Sequence, residues 1–190
     1  MNSYEKARKR NIQILTFSNS LMALAFGLFG PFYLIFINQI GGGIENFGIA
    51  VGLIVLADSL TSFFVGRYSD KFGRKPFLLL GALASALVVF FYTIIGTVWQ
   101  LYIIQIFSGI IIAIYETSEH ALLADLTKRY ERGKEIGKYY LYTGIAEAIA
   151  LVIGGFLVVK YGFKPIFYIV SIIFVISTIF LFKIKEKVKS

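Results

Sequence analysis

Cysteine is absent from this chain of 190 residues, histidine occurs once, proline occurs three times, and only 16% of the residues are charged. Without cysteine there is no disulfide framework and no thiolate zinc site, and a single histidine excludes a histidine-rich metal site. A soluble domain carries about 25% charged residues. The shortage of charge, together with 57% hydrophobic residues, argues against a disordered chain and an ordinary soluble enzyme. We therefore expect no catalytic set, no metal and no cofactor.

Long apolar runs occupy most of the chain. Six of them are long enough to cross the roughly 30 Å hydrocarbon core of a bilayer as helices. They lie at about 12–37, 45–65, 76–95, 98–121, 139–159 and 163–184. Strands of a membrane barrel would alternate over about ten residues instead. The sequence thus predicts an all-α, multi-pass protein of the cell membrane, with residues 1–190 in a single six-helix transmembrane domain.

The first run has two features of a cleaved signal peptide, a basic start and an Ala23-Leu24-Ala25 segment. The apolar run continues well beyond Ala25, however, and its first half carries polar residues. We therefore expect this run to be a retained membrane span.

Basic residues are strongly biased to one side of the predicted membrane. Seventeen of the 19 Lys and Arg residues fall in the N-terminal segment, the connections after the second and fourth runs, and the C-terminal tail. The other two are Lys160 and Lys164. Because Lys and Arg are enriched in cytoplasmic loops, the bias predicts that both termini are cytoplasmic. The net charge of +8 is explained by this bias, and we expect no nucleic-acid partner.

A short basic connection joins the second and third runs. It reads Gly66-Arg67-Tyr68-Ser69-Asp70-Lys71-Phe72-Gly73-Arg74-Lys75-Pro76. Gly66 permits close approach of another backbone, Gly73 supplies a turn, and Pro76 suits the first turn of a helix. Most such loops are only basic turns. The pattern Gly-x-x-x-Asp-x-x-Gly-Arg-Lys at this place, however, resembles the motif between helices 2 and 3 of the major facilitator superfamily.

A second stretch carries the same resemblance. It reads Ala121-Leu122-Leu123-Ala124-Asp125, followed by Arg132-Gly133 and Gly137, and it is similar to the segment that links helices 4 and 5 in drug-efflux-like members. The resemblance implies the N-terminal six-helix half of a twelve-helix transporter. It also implies a conformational latch that locks the outward-facing state, formed by Gly66, Asp70, Gly73, Arg74, Lys75 and Asp125.

Two positions depart from the family pattern. Many members have an arginine in helix 4, four residues before a glycine, where this chain has Gln105 before Gly109. Proton coupling through that arginine therefore does not carry over. The Gly-Pro-x-x-Gly-Gly segment of antiporters is reduced to its last pair, Gly154 and Gly155. With Gly144, these two glycines are expected to permit close helix packing.

Ionisable residues inside the predicted spans form the candidate site. A charge at the centre of a membrane helix costs roughly 2.5–3.5 kcal/mol, so these side chains must face protein or water, or be protonated. No Lys or Arg inside the spans neutralises the acids, and a cavity of this sign suits protons, alkali cations or an organic cation. The candidate substrate or proton/cation site comprises Asn19, Asp58, Gln105, Glu116, Glu119, His120 and Glu147.

The same residues are also compatible with purely structural roles. Glu119 would be solvated if it lies near the cytoplasmic interface, and Asn19 would make a packing hydrogen bond. The remaining acids would be satisfied by an i, i+4 pair of Glu116 with His120, a pair of Glu147 with His120 across helices, and a hydrogen bond of Asp58 to Ser59 or Thr61.

These features together predict secondary transport of a small solute by alternating access, coupled to protons or cations, with efflux as in the similar family members. A central pathway needs a second six-helix domain, which would be another copy of the chain or a separately encoded half. The expected partners are therefore the lipid bilayer, a small-molecule or ion substrate, and this second domain. The alternative is a non-transporting scaffold or a truncated remnant that kept the fold. The loop motif argues against a scaffold, which needs no latch.

Overall fold

The computed structural model describes residues 3–185, and every regular element in that range is helical. The helices are α1 (Ser3–Phe29), α2 (Tyr33–Gln39), α3 (Ile44–Phe72), α4 (Arg74–Phe91), α5 (Val98–Leu126), α6 (Arg132–Tyr161) and α7 (Phe163–Leu181). Within residues 3–185, six spans are long and apolar enough to cross a membrane, with α1 and α2 together forming the first. The predicted all-helical, multi-pass membrane fold is thereby confirmed.

The first span is broken by a 3-10 turn over Gly30–Phe32. Pro31 has no backbone N–H to donate and its ring clashes with the preceding turn, so a continuous α-helix is disfavoured there. The chain resumes as α2, which is only seven residues long. This short helix is thus a separate element at the end of the first span.

The helices extend beyond the apolar runs at one end of the bundle. α3 continues to Phe72 rather than 65, α5 continues to Leu126 rather than 121, and α6 begins at Arg132 rather than 139. The added turns carry charged residues, because a helix leaves the hydrocarbon without having to end. We call this the basic end: α1, α4 and α6 begin there, and α3, α5 and α7 end there. Lys187 and Lys189 of the basic tail lie outside the described residues.

Two tight connections depend on glycines with positive φ. Gly73, with φ of +92°, separates α3 from α4, and Gly162, with φ of +73°, separates α6 from α7. Side chains other than glycine rarely adopt this region, so each glycine allows one helix to reverse into the next within a single residue.

The helices pack in the order α3, α5, α4, α7, α1, α6, with α3 and α6 at the two ends of the row. α4 crosses α5 closely because Gly81 lies against the backbone of Tyr115, and α3 approaches α5 at Gly109. α1 and α5 touch little. The space between them is left open, and the candidate site lies there.

Candidate functional site

A cavity of about 330 Å³ lies between α1, α5 and α6. None of its described lining residues is Lys or Arg, and it gathers most of the predicted ionisable residues. We call it the acidic cavity, and its polar lining is Asn19, Tyr115, Glu116, Glu119, His120, Tyr139, Tyr140, Thr143 and Glu147, with Ser85 from α4.

A second cavity of about 420 Å³ adjoins the first. We call it the aromatic cavity, because its wall includes Phe26, Phe29, Tyr33, Phe47 and Tyr92. The two cavities share five lining residues, namely Phe26, Ser85, Ile112, Glu116 and Phe174. Of the acids, only Glu116 lines both, so its carboxyl lies where an acidic and an apolar space meet.

Asn19 joins three helices inside the acidic cavity. The hydroxyl of Tyr115 on α5 donates to Asn19 Oδ1, and Asn19 Nδ2 donates to the hydroxyl of Tyr139 on α6. All three side chains are buried. Sequence reasoning identified Asn19 but missed both tyrosines. The available signal was that a tyrosine hydroxyl at membrane depth requires a hydrogen-bond partner.

The histidine has neither of the two partners expected from the sequence. His120 Nε2 lies 3.3 Å from Glu119 Oε2, so its partner is the adjacent residue rather than Glu116. Among the described residues no ion pair joins His120 to Glu147. The side chain of Glu119 is only 6% exposed, whereas that of His120 is 59% exposed. A buried acid therefore sits beside an accessible base.

Gln105 is held between two tyrosines away from the acidic cavity. Tyr92 donates to its carbonyl oxygen and its amide nitrogen donates to the hydroxyl of Tyr33. The side chain is fully buried and lines the aromatic cavity. Gln105 therefore ties α5 to α4 and to the short helix α2.

Asp58 lies outside both cavities. Its carboxylate accepts a hydrogen bond from Ser62 at 3.2 Å, and Ser62 in turn accepts one from Thr117 at 3.1 Å. Asp58 is therefore bonded one helical turn ahead on α3, rather than to Ser59 or Thr61. The structure does not bring Asp58 together with the other candidates.

Three residues of the latch implied by the resemblance, Asp70, Arg74 and Asp125, lie together at the basic end. Arg74 forms an ion pair with Asp70, its Nε lies 3.6 Å from Asp125 Oδ2, and its Nη1 donates to Ser69 at 2.9 Å. Lys75 reaches instead to the carbonyl of Phe182. Arg74 thus links α4 to the ends of α3 and α5.

The glycines expected at helix contacts fall into two groups. A Cβ at Gly154 would lie 2.5 Å from the carbonyl oxygen of Leu28, and one at Gly155 would lie 3.3 Å from the ring of Phe32. At Gly144 it would meet nothing within 4 Å. At Gly66 the nearest atom is the methyl of Thr117 at 3.8 Å. Gly144 is therefore at no helix contact within the described residues, and Gly66 receives no neighbouring backbone there.

A second group of charges at the basic end was not predicted. Arg8 is buried, and its Nη1 donates to both carboxylate oxygens of Glu135 and to the carbonyl of Leu126, each at 2.9 Å. Lys128 pairs with Glu5, and this hydrogen bond raises the pKa of Lys128 to about 12. Counting Lys and Arg on each side of the membrane does not reveal such pairs, because the count does not distinguish a buried, paired arginine from an exposed one.

Comparison with known proteins agrees with this architecture. The sequence model of the Major Facilitator Superfamily matches residues 15–190. The MFS-type transporter YitZ of Bacillus subtilis is 36% identical over 162 residues, which cover 85% of this chain and 99% of YitZ.

Two relatives are named as multidrug resistance proteins. MdtG of Dickeya zeae is 28% identical over 189 residues, which cover 95% of this chain and 46% of MdtG. MdtH of Baumannia cicadellinicola is 27% identical over 180 residues, which cover 94% of this chain and 44% of MdtH. The chain thus spans about half the length of these two proteins and almost all of YitZ.

Proposed function

The chain belongs to the major facilitator superfamily, and we propose that it forms one half of a secondary transporter that moves a small solute by alternating access. Its relatives indicate a transporter rather than an enzyme. The names of MdtG and MdtH favour efflux as the direction of transport.

The observation that carries this proposal is the acidic cavity. Three carboxylates and one imidazole line a space that is open between α1 and α5, without a lysine or arginine among the described lining residues. Such a concentration of acid at membrane depth is expensive unless it binds protons or cations. We therefore propose coupling to protons or another cation, with Asn19, Glu116, Glu119, His120 and Glu147 as the site.

Gln105 and Asp58 take different parts in this proposal. Gln105 has both of its amide groups bound to tyrosines, so it would contribute to the wall of the aromatic cavity. Asp58 would act on Glu116 through its charge, since it lies outside both cavities. Both remain candidate site residues on this basis.

The latch is proposed to control which side of the membrane reaches the cavity. The residues of the latch lie where α3, α4 and α5 meet at the basic end, and they are Gly66, Asp70, Gly73, Arg74, Lys75 and Asp125. We propose that this end is cytoplasmic, because it carries the excess of Lys and Arg. Breaking the Arg74 ion pairs would remove the ties of α4 to the ends of α3 and α5.

A second six-helix domain is proposed to cover the cavity. α3 and α6 flank it at the two ends of the row, and Gly52 and Gly144 on these helices face open space. Small residues let helix backbones approach closely in membranes. A second copy of this chain, or a separately encoded half, would pack there about a two-fold axis normal to the membrane.

Site-directed labelling tests alternating access without a known substrate, because the native chain has no cysteine. Thr143→Cys places a thiol in the acidic cavity, whereas Gly96→Cys and Arg129→Cys place thiols in opposite connections. In reconstituted vesicles, an impermeant maleimide should reach Thr143→Cys from both sides, Gly96→Cys from outside only, and Arg129→Cys from the cytoplasmic side only.

Arg74→Ala separates a transporter from a pore. Loss of the latch should lower the labelling rate of Thr143→Cys from outside and raise it from the cytoplasmic side. A simultaneous rise on both sides would indicate an open pore. Labelling from one side alone, in both backgrounds, would contradict alternating access and favour a scaffold.

A further inference from the structure

Glu119 differs from the other acids of the cavity in how its oxygens are bound. Its Oε2 faces His120, but its Oε1 is buried without a hydrogen-bond partner. Glu116 is exposed and Glu147 is half-buried, so water can solvate either of them. A buried anionic oxygen without a donor is costly, whereas a bound proton removes the charge. Among the acids of this cavity, the geometry therefore favours Glu119 as the one that takes up a proton.

The hydrogen bonds of Asn19 determine which donor remains for Glu119. Tyr115 gives its hydroxyl proton to Asn19, and Asn19 gives an amide proton to the oxygen of Tyr139. The hydroxyl proton of Tyr139 has no acceptor among the hydrogen bonds of the described residues, and Tyr139 lines the same cavity as Glu119. The structure, with Oε1 of Glu119 unpartnered, corresponds to the protonated carboxyl. When Glu119 ionises, Tyr139 has a hydroxyl proton to donate to the carboxylate, and this hydrogen bond weakens again when the carboxyl is protonated.

His120 supplies the route by which a proton arrives. Its ring is accessible while its Nε2 lies 3.3 Å from Glu119 Oε2. Imidazole exchanges protons with water near neutral pH. The other titratable groups of the cavity are Tyr115 and Glu116 on α5 and Tyr139, Tyr140 and Glu147 on α6, while α1 contributes the neutral Asn19 and α4 the neutral Ser85.

We infer that Glu119 is the proton carrier of this cavity, that His120 exchanges its proton with water, and that Asn19 and Tyr139 are positioning residues. In the uptake step, imidazolium Nε2–H transfers its proton to Oε2 of the Glu119 carboxylate. The neutral ring then takes a proton from hydronium that reaches the cavity, and water is left. Because Tyr139 belongs to α6, protonation of Glu119 weakens a tie between α5 and α6. The role of this step in coupling rests on the proposed transport function, but the proton exchange itself does not.

Infrared difference spectroscopy between acid and base measures the exchange directly, through the C=O stretch of protonated carboxyl groups. In purified full-length protein, Glu119→Gln should remove one buried carboxyl from the titration. Tyr139→Phe should keep that signal and raise its midpoint by about one pH unit, because a donor to the carboxylate is lost. Tyr142→Phe, at an exposed position of the same helix outside both cavities, is the matched control and should leave the midpoint unchanged.

His120→Gln tests the exchange route. After a pH jump, protonation of the buried carboxyl should slow by about tenfold, as expected when a positioned acid–base group is removed. An unchanged rate would overturn the role of His120. A full carboxyl signal in Glu119→Gln, with loss of the signal in Glu116→Gln or Glu147→Gln, would overturn the assignment of the carrier.

Monodispersity and thermal midpoint identify variants that fail to fold. If Glu119→Gln fails to fold, the shift in the pH midpoint of the carboxyl signal in Tyr139→Phe tests the proposal by itself. These outcomes are independent of the labelling of Thr143→Cys. Labelling of Thr143→Cys from one side only, together with loss of the carboxyl signal in Glu119→Gln, would contradict transport but leave Glu119 as the proton carrier. Labelling of Thr143→Cys from both sides, together with an unaltered carboxyl signal in Glu119→Gln, would contradict the assignment of Glu119 and leave alternating access in place.

Discussion

At the scale of single residues, glycines on the same helix have opposite surroundings. Gly154 lies against the backbone of Leu28 in α1, whereas Gly144 faces open space. Both lie on α6, and the local sequence does not distinguish them. What distinguishes them is the direction of the neighbouring helix, which only the packed structure contains.

Gly154→Ala should destabilise the domain by about 1–3 kcal/mol. The new Cβ would clash with the backbone of Leu28, which, unlike a side chain, cannot move aside by changing its rotamer. The matched control is Gly144→Ala, which should be neutral or raise stability by about 0.5–1 kcal/mol through its effect on the unfolded chain. SDS-induced unfolding followed by circular dichroism measures both. Equal midpoints for the two variants would mean that α1 and α6 are not packed at this glycine.

At the scale of elements, hydrogen bonds and ion pairs tie the ends of helices that are distant in sequence. Gln105 connects α5 to α2 and α4 at one end of the bundle. At the basic end, Asn11 accepts from and donates to the backbone of Lys185 beyond α7. Arg8 connects the start of α1 to the end of α5 and the start of α6. These ties hold helices together at the two opposite ends of the bundle, whereas the space between α1 and α5 stays open.

Arg8→Ala should lower stability by about 2 kcal/mol, because it leaves Glu135 without its charged partner in a mostly buried position. Arg10→Ala removes the same charge from an exposed position of the same helix and should change stability little. Thermal unfolding in detergent compares the two. If the pair is coupled, Arg8→Ala combined with Glu135→Ala should cost less than the sum of the single variants.

At the scale of the whole molecule, the order of the helices places the most open surface beside the acidic cavity. α3 and α6 end the row, and both carry exposed side chains along much of their length, among them Phe63 and Phe156. Lipid can cover such apolar faces, but it cannot solvate the carboxylates between them. A protein partner on this side is therefore the arrangement that we propose.

Gly144→Leu tests that partner, since a Cβ at Gly144 meets no atom of the described residues within 4 Å and the domain itself should fold normally. We expect two six-helix domains per particle in nanodiscs, and a shift toward one domain when leucine blocks close helix approach. Gly96→Leu, in the exposed connection between α4 and α5, is the control. Mass photometry resolves the two species. A single domain that labels from both sides at Thr143→Cys would contradict the proposal.

The sequence by itself determined the fold class, the number of spans and the family, because hydropathy and loop motifs are read along a single stretch of chain. It also identified Asn19, Glu116, Glu119 and His120 as candidates, since a polar residue in an apolar run is visible without any neighbour. Only the tertiary structure decided how they are partnered. The ties of Asn19 to Tyr115 and Tyr139 join residues about a hundred positions apart, and the burial of Glu119 Oε1 without a hydrogen-bond partner is a property of the packed helices. Contacts of that kind are absent from local sequence, because they exist only when the helices have packed.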